Sequence, residues 1–174
     1  DEHSREALRA CGVPAPRIHV AADPAVLVSP GPPEGAERWL RESGVSDAPR
    51  PWVAMNIRPW YRFGREREDA DAEAMQALIR NASQVVRGIR DQLGGTAVLL
   101  PFQRMYDDDL EVADSVLAAA GECGALIAQP PAAPSDLSAA LARFDLSVGM
   151  RMHFLLLSLA AGVPFVALTY SEKS

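Results

Sequence analysis

The chain has 174 residues and a mass of 18.7 kDa, the size of one domain that can bury a substantial core. Apolar residues make up 48% and charged residues 23%, which excludes a disordered chain, and no apolar run approaches the length of a membrane span. The formal net charge of −6 argues against non-specific nucleic-acid binding, because such binding depends on an excess of basic residues.

The first fifty residues are predicted to contain two helices separated by turns. The pattern predicts a helix over 2–11, a short strand at 17–20 and an amphipathic helix over 34–43 that ends at Gly44. Four prolines between residues 24 and 33 interrupt regular structure before the second helix.

From residue 51 onwards, apolar strands alternate with helices. Strands are predicted at 52–57, 96–100, 125–129, 145–150 and 165–170, and helices at 69–93, 108–120, 135–144 and 151–163. Because the strands are apolar without alternation, the sequence predicts an α/β fold, a Rossmann-like parallel sheet flanked by helices. We expect the last strand and the apolar helix before it to be buried, and Ser135 to cap the helix that it begins.

Polar residues follow three of these strands, and in parallel sheets ligands bind beyond the carboxyl ends of the strands. No glycine-rich dinucleotide motif or P-loop motif is present, so neither of these nucleotide sites is indicated. The polar groups are Asn56 and Arg58 with Trp60, Tyr61 and Arg62; Gln103 with Tyr106 and Asp107; and Arg151 and His153, followed by Tyr170, Ser171, Glu172 and Lys173 after the last strand.

The group around Arg151 is the most informative of the three. Gly149 leads into a helix whose first turn carries Arg151 and His153. Free N–H groups at a helix N-terminus and a guanidinium together favour an anion site, and an imidazole can donate to the anion or transfer a proton near neutral pH. The alternative is structural: His153 caps or packs a buried helix, and Arg151 pairs with a carboxylate such as Asp145.

Two further cations are candidate anion contacts. Lys173 is the only lysine among 17 basic residues and follows the last predicted strand. A compact ammonium can contact phosphate as a point charge, but on the counts alone chance placement near the end of the chain is the simpler explanation of this lysine. Arg58 follows a buried strand, and its alternative is a surface ion pair with Glu66 or Glu68.

Metal binding is not indicated by the sequence. The two cysteines and three histidines form no known metal-ligand motif. Three consecutive carboxylates could bind a metal ion, those of Asp107, Asp108 and Asp109. The start of a helix explains them better, since the helix dipole favours carboxylates in the first turn. We therefore predict no protein-bound metal.

The segment VGMRMHFLLLSLAAGVPFVALTYSEK resembles the signature of the polysaccharide pyruvyl transferases. Their pattern is a G-[MI]-R-[LM]-H helix start, an apolar helix, G-V-P, a strand and Y-[DS]-x-K. WVAMNIRPW and VLLPFQRMYDDD are similar to the two preceding strand ends of the family, and DEHS and ADPA resemble its R-D-x-x-S and D-P-A segments. The chain departs from the family in YSEK, where YDPK is common, but Ser171 and Glu172 leave the lysine position intact.

The resemblance implies a two-domain enzyme of GT-B type, of which this chain is one half. Residues 1–50 would be the inter-domain segment and the start of the C-terminal half, and residues 51–174 the Rossmann-like donor-binding domain. The N-terminal domain would lie outside this chain, so the chain alone is expected to be inactive. The expected location is the cytoplasm, with peripheral association at the inner membrane face through the acceptor.

The implied reaction transfers a carboxyethylidene group from phosphoenolpyruvate to two hydroxyls of a sugar in a bacterial surface polysaccharide precursor, and forms a cyclic ketal. By the resemblance, His153 matches the family's proposed acid, and Arg151 and Lys173 match its donor-binding positions. The other expected substrate contacts are Arg58, Asn56 and Gln103. Phosphoenolpyruvate and a lipid-linked or polymeric glycan are the expected partners, with no cofactor, metal or nucleic acid.

Two alternatives to this function remain. A nucleotide-sugar glycosyltransferase has the same architecture and places an acidic residue on the ribose, a position that Glu172 could fill. A non-catalytic α/β domain that binds a partner protein is the other. Stabilisation by a nucleotide-sugar but not by phosphoenolpyruvate would favour the first alternative.

Overall fold

The structure, a computed structural model, describes residues 1–59, 68–103 and 108–169. In those residues five parallel strands form one sheet, flanked by six α-helices. The strands are β1 Trp52–Asn56, β2 Thr96–Leu99, β3 Leu126–Ile127, β4 Leu146–Gly149 and β5 Phe165–Ala167. The helices are α1 Glu2–Ala10, α2 Pro33–Glu42, α3 Glu68–Leu93, α4 Asp109–Ala120, α5 Pro134–Leu141 and α6 Met152–Ala160. No helix in the described ranges is long and apolar enough to cross a membrane.

The sheet order is β3-β2-β1-β4-β5, and all four strand pairs are parallel. The chain builds outwards from β1 to β3, then returns to the other side of β1 with β4. Asn56 at the end of β1 is therefore paired with Gly149 at the end of β4. Ligands of doubly wound sheets bind where the strand order reverses in this way. The predicted Rossmann-like α/β fold is confirmed.

Alternate residues of the strands enter two separate cores. Val53 and Met55 pack with buried residues of α3 and α4, whereas Trp52 and Ala54 pack with buried residues of α5 and α6. Because β1 is covered on both faces, every one of its residues is buried, which explains the continuous apolar run in the sequence.

The predicted strand at 17–20 is wrong. Residues Ala15–Arg17 form a 3-10 turn, and residues 18–20 have no regular structure. Ile18 has extended dihedrals, with φ −111° and ψ 116°, but none of the five described strands pairs with it. Pro14 precedes the turn and Pro16 lies within it, and both lack N–H donors, so this segment is poorly suited to a sheet ladder.

The predicted cap by Ser135 is also wrong. Helix α5 begins at Pro134, its N-cap is Ala133, and no side chain caps it. A proline fits the first turn because its missing N–H would have no intrahelical partner and its φ is already helical. The cap position thus lies two residues before the predicted Ser135.

The last strand is more exposed than predicted. Phe165 and Val166 in β5 are 40% and 48% exposed, because among the described strands β5 is at the edge of the sheet and pairs with β4 alone. Helix α6 buries Phe154 and Leu157, but Met152 and Leu159 are about half exposed. The expectation of burial is wrong for β5 and correct for one face of α6 only.

Candidate functional site

A fully buried carboxylate, that of Asp109, connects the ends of β1 and β2. Asp109 is the first residue of α4. Its Oδ2 accepts hydrogen bonds from the backbone N–H groups of Phe102 and Gln103, at 3.0 Å and 3.1 Å. The side-chain amide of Asn56, at the end of β1, lies 3.4 Å from the same oxygen. The carboxylate therefore fixes the loop that follows β2 against the end of β1.

Arg151 completes this cluster from the end of β4. Its Nε donates to Oδ2 of Asp109 at 3.0 Å, and its Nη2 donates to Oδ1 at 2.5 Å. The backbone N–H of Arg151 donates to Oδ1 of Asn56 at 3.2 Å, while Nδ2 of Asn56 donates to the carbonyl of Leu100 at 2.9 Å. Since a bidentate pair fixes the plane of a guanidinium, both the backbone and the side chain of Arg151 are held in place.

Arg151 does pair with a carboxylate, as the structural alternative predicts, but the carboxylate is that of Asp109 and not that of Asp145. Asp145 precedes β4, whereas Arg151 follows it, so the two residues lie at opposite ends of the strand. Asp145 pairs instead with Arg50, with Nη1 and Oδ1 2.8 Å apart, at the amino edge of the sheet. Asp109 reaches Arg151 because α4 begins at the same carboxyl edge at which β4 ends.

Gly149 sets how closely α6 approaches the end of β4. A Cβ on this residue would lie 2.3 Å and 2.7 Å from two ring carbons of Phe154, a side chain with no exposed surface. The Phe154 ring is itself held edge-on against Phe102, with the ring centroids 5.5 Å apart. The absence of a side chain at Gly149 thus positions the helix turn that carries Arg151 and His153.

We expect Gly149→Ala to destabilise the fold by about 1–3 kcal/mol, because the buried ring has to move to make room for a methyl group. Gly88→Ala is the matched control, since Gly88 lies within α3 and the nearest atom to a Cβ there is 4.0 Å away. That change should stabilise the fold by about 0.5–1 kcal/mol. Urea unfolding measures both, and equal midpoints for the two variants would contradict this account of Gly149.

His153 lies in the first turn of α6 and faces a cavity. Its side chain is 63% exposed, and its Nε2 is 3.7 Å from Oδ2 of Asp23. Both residues line a cavity of about 720 Å³ whose walls are mainly apolar and include Phe102, Pro131 and Leu137. The side chain of His153 is therefore not packed inside a buried helix, which was the structural alternative for this residue.

The other predicted site residues differ in how far the structure places them. Arg58 is only 8% exposed, and its Nε donates to the carbonyl of Pro59 at 3.3 Å, while Glu66 and the side chain of Glu68, its alternative partners, lie outside the described part of the chain. Gln103 joins the cluster through its backbone, and Asn56 through a side chain with no exposed surface. Contact of these three residues with substrate stays a prediction. Lys173 lies outside the described residues, as do Trp60, Tyr61, Arg62, Tyr106, Asp107, Tyr170, Ser171 and Glu172.

Two acidic residues of the site were not predicted from the sequence. The acidic helix start is confirmed for Asp108, whose Oδ1 accepts from the N–H of Leu110 at 2.9 Å as the N-cap of α4. Asp109 instead turns inwards to Arg151, and its position directly after a strand-end loop was the only signal. For Asp23 the only signal was the D-P-A turn. Among the described residues, no group of three His, Cys, Asp or Glu side chains could hold a metal ion.

A family model described as polysaccharide pyruvyl transferase matches residues 1–172. The chain belongs to the polysaccharide pyruvyl transferase family. The match covers essentially the whole chain, confirms the resemblance seen in the sequence and supports a transferase. It ends one residue before Lys173, so the assignment of that lysine depends on the Y-x-x-K resemblance. No curated protein matches the chain significantly.

Proposed function

We propose that this protein transfers the carboxyethylidene group of phosphoenolpyruvate to two hydroxyls of a sugar and forms a cyclic ketal. Family membership supports the transferase class. The observation that carries the donor assignment is Arg151, held by Asp109 where the strand order reverses and two residues before His153. A cation of fixed orientation and a proton donor are the two groups that this reaction requires at its donor.

Phosphoenolpyruvate carries a phosphate and a carboxylate, so its site needs several positive groups. Arg151 is one, and the first turn of α6, which has no side-chain cap and no acidic residue, is another. Arg58 and Lys173 are the further cations that we assign to the donor. The carboxylate of Asp109 offsets part of the charge of Arg151 but fixes its geometry, which favours selection of a planar anion over a spherical one.

His153 supplies the proton in this scheme. Its imidazolium N–H bond breaks as a C–H bond forms at the donor methylene carbon, which becomes the methyl group of the product. The neighbouring carbon gains oxocarbenium character, and the first sugar hydroxyl adds to it while the neutral imidazole accepts the hydroxyl proton. The second hydroxyl then displaces phosphate, which leaves with the electron pair of its C–O bond and takes up the proton of that hydroxyl. The products are one ketal and one phosphate.

The acceptor belongs to the same proposal. A lipid-linked or polymeric glycan precursor at the inner face of the membrane would bring a sugar to the carboxyl edge of the sheet, in the cleft of a GT-B-type enzyme. A β-linked N-acetylmannosamine unit is the first acceptor to test. The cavity beside His153 lies at that edge of the sheet.

Titration with phosphoenolpyruvate tests the donor assignment without an acceptor. We expect the melting temperature of the full-length protein to rise with donor concentration, by the equivalent of about 2.7 kcal/mol when the donor is about 100-fold above its Kd. Relative to their own melting temperatures, Arg151→Gln and Lys173→Ala should shift less. Inorganic phosphate at equal concentration controls for general anion binding.

Two outcomes of this titration would contradict the proposal. One is no shift at millimolar phosphoenolpyruvate, and the other is a shift that Lys173→Ala and Arg151→Gln leave unchanged. Stabilisation by UDP-N-acetylglucosamine but not by phosphoenolpyruvate would favour the nucleotide-sugar glycosyltransferase instead.

A further inference from the structure

The carboxylate of Asp23 makes two contacts that can be separated by experiment. Its Oδ1 accepts a hydrogen bond from the N–H of Ala25 at 2.9 Å, which caps the 3-10 turn Pro24–Leu27. Its Oδ2 lies 3.7 Å from Nε2 of His153, longer than a hydrogen bond but within the range of an ion pair. The first contact is local, whereas the second connects this turn to α6, against which it packs.

The surroundings of His153 offer few other polar groups. In the part of the chain that the structure describes, the carboxylate at ion-pair distance from His153 is that of Asp23, and the guanidinium of the neighbouring Arg151 turns to Asp109. Of the other residues that line the cavity, Gln129 has a backbone carbonyl that already accepts from Nε1 of Trp39, at 2.8 Å. The remaining walls are mainly apolar.

An exposed histidine needs such a contact if it is to transfer a proton. The side chain of His153 is 63% exposed, so packing alone does not restrict its rotamers. Proton transfer to carbon requires a defined approach of the imidazole nitrogen, and a misplacement of about 1 Å can lower the rate by about 100-fold. The side chain of Asp23 is only 33% exposed and is anchored by its own cap, so it can hold the ring from one side.

We propose that Asp23 is a positioning residue for His153: its carboxylate holds Nε2 of the imidazole, so that the proton transferred to the donor leaves from Nδ1. This inference rests on the proposed pyruvyl transfer, and it adds a residue from the first fifty of the chain to that reaction. Donor binding stays with Arg151 and the first turn of α6, so Asp23 should affect kcat rather than KM for phosphoenolpyruvate.

Two substitutions separate the cap from the carboxylate. Asp23→Ser keeps a good N-cap but removes the carboxylate. We expect an unchanged melting temperature, an unchanged KM for phosphoenolpyruvate and a kcat lower by about 10- to 100-fold. Asp23→Glu keeps a carboxylate near His153 but loses the short cap, so it should be less stable than Asp23→Ser and yet more active. Phosphate release with a β-N-acetylmannosamine glycoside as acceptor measures kcat.

Asp108→Ser is the matched control. Asp108 caps α4 by the same two-residue step and the same 2.9 Å distance as Asp23, and no contact with a histidine accompanies it. Its variant should keep both the melting temperature and kcat of the wild type. If kcat simply follows the melting temperature across the three variants, Asp23 is only structural and the inference is overturned. A wild-type kcat in Asp23→Ser overturns it as well.

The imidazole nitrogens of His153 give a readout that does not depend on turnover. In long-range ¹H–¹⁵N spectra of the full-length protein, Asp23→Ser should move the Nε2 resonance of His153, and Asp108→Ser should not. An unmoved Nε2 resonance overturns the contact and the inference. If the wild type forms no ketal but the substitution still moves the Nε2 resonance, the proposed function is wrong, and so is the role of Asp23 in that reaction. The contact between Asp23 and His153 is then still supported.

Discussion

Replacing Asp109 by asparagine is expected to destabilise the fold by about 3–5 kcal/mol, because it breaks a buried ion pair and leaves the guanidinium of Arg151 without its carboxylate. Asp109 has no exposed surface, and the side chain of Arg151 is only 19% exposed, so water can compensate little. The amide keeps the size of the side chain and one good acceptor oxygen. The loss of stability therefore measures the effect of removing the charge and the paired geometry, and not the effect of creating a cavity.

The same substitution should also remove donor binding. Asp109 holds the loop after β2 and pairs with Arg151 through two hydrogen bonds, so in its absence the cation that we assign to phosphoenolpyruvate loses the bidentate contact that fixes its plane. We expect the donor-induced rise in melting temperature to disappear in Asp109→Asn, even at temperatures at which the variant is folded. A variant that binds the donor as the wild type does would show that Arg151 needs no such support.

An exposed ion pair in the same chain provides the control. Glu37 and Arg143 lie 3.3 Å apart with side chains that are 51% and 41% exposed, so Glu37→Gln should change stability by less than about 1 kcal/mol. The double variant Asp109→Asn/Arg151→Gln should be less destabilised than the sum of its single variants, because no charge then remains from the buried pair. Strict additivity in urea unfolding would contradict the pairing.

Replacing His153 by glutamine is expected to lower kcat by about 10²- to 10⁴-fold, the range for loss of a general acid. Glutamine has a similar size and can still donate a hydrogen bond, but it cannot transfer a proton to carbon. Because the His153 side chain is mostly exposed, stability should stay within about 0.5 kcal/mol of the wild type. Phosphate release in the presence of an acceptor gives kcat, and the donor titration gives the affinity for phosphoenolpyruvate.

His19→Gln controls for a general effect of replacing an exposed histidine. His19 is exposed and lies in a segment without regular structure. It should keep the wild-type kcat. If His153→Gln retains kcat, or if it abolishes donor binding to the same extent as catalysis, His153 is not the proton donor.

The sequence was sufficient to predict the parallel sheet and the sheet edge that carries the candidate site. Continuous apolar runs such as 52–57 identify strands that are covered on both faces, and the rule that ligands bind at strand ends then selects Asn56, Gln103 and Arg151. The structure brings these three residues to one carboxylate. This part could be predicted because it depends on chain order and local periodicity.

What could not be predicted depends on contacts between segments that are distant in sequence. In the sequence, Asp107, Asp108 and Asp109 are equivalent acidic residues at the start of a predicted helix. Only the packing of α4 on the sheet turns Asp109 towards Arg151. The contact between Asp23 and His153 arises because the turn Pro24–Leu27 packs against α6, which no local pattern encodes. The apolar run of β5 reads like that of β1, yet β5 is exposed because it lies at the edge of the described sheet.

The proposed transfer of a carboxyethylidene group from phosphoenolpyruvate can be tested by following the donor carbon itself. The most direct measurement follows phosphoenolpyruvate labelled with ¹³C at its enol carbon during incubation with the full-length protein and a β-N-acetylmannosamine glycoside. The account predicts that the label moves to a saturated ketal carbon bonded to two sugar oxygens and a new methyl group, with one phosphate released per product. A label that stays vinylic, in unreacted donor or in an enol ether of the sugar, would contradict it.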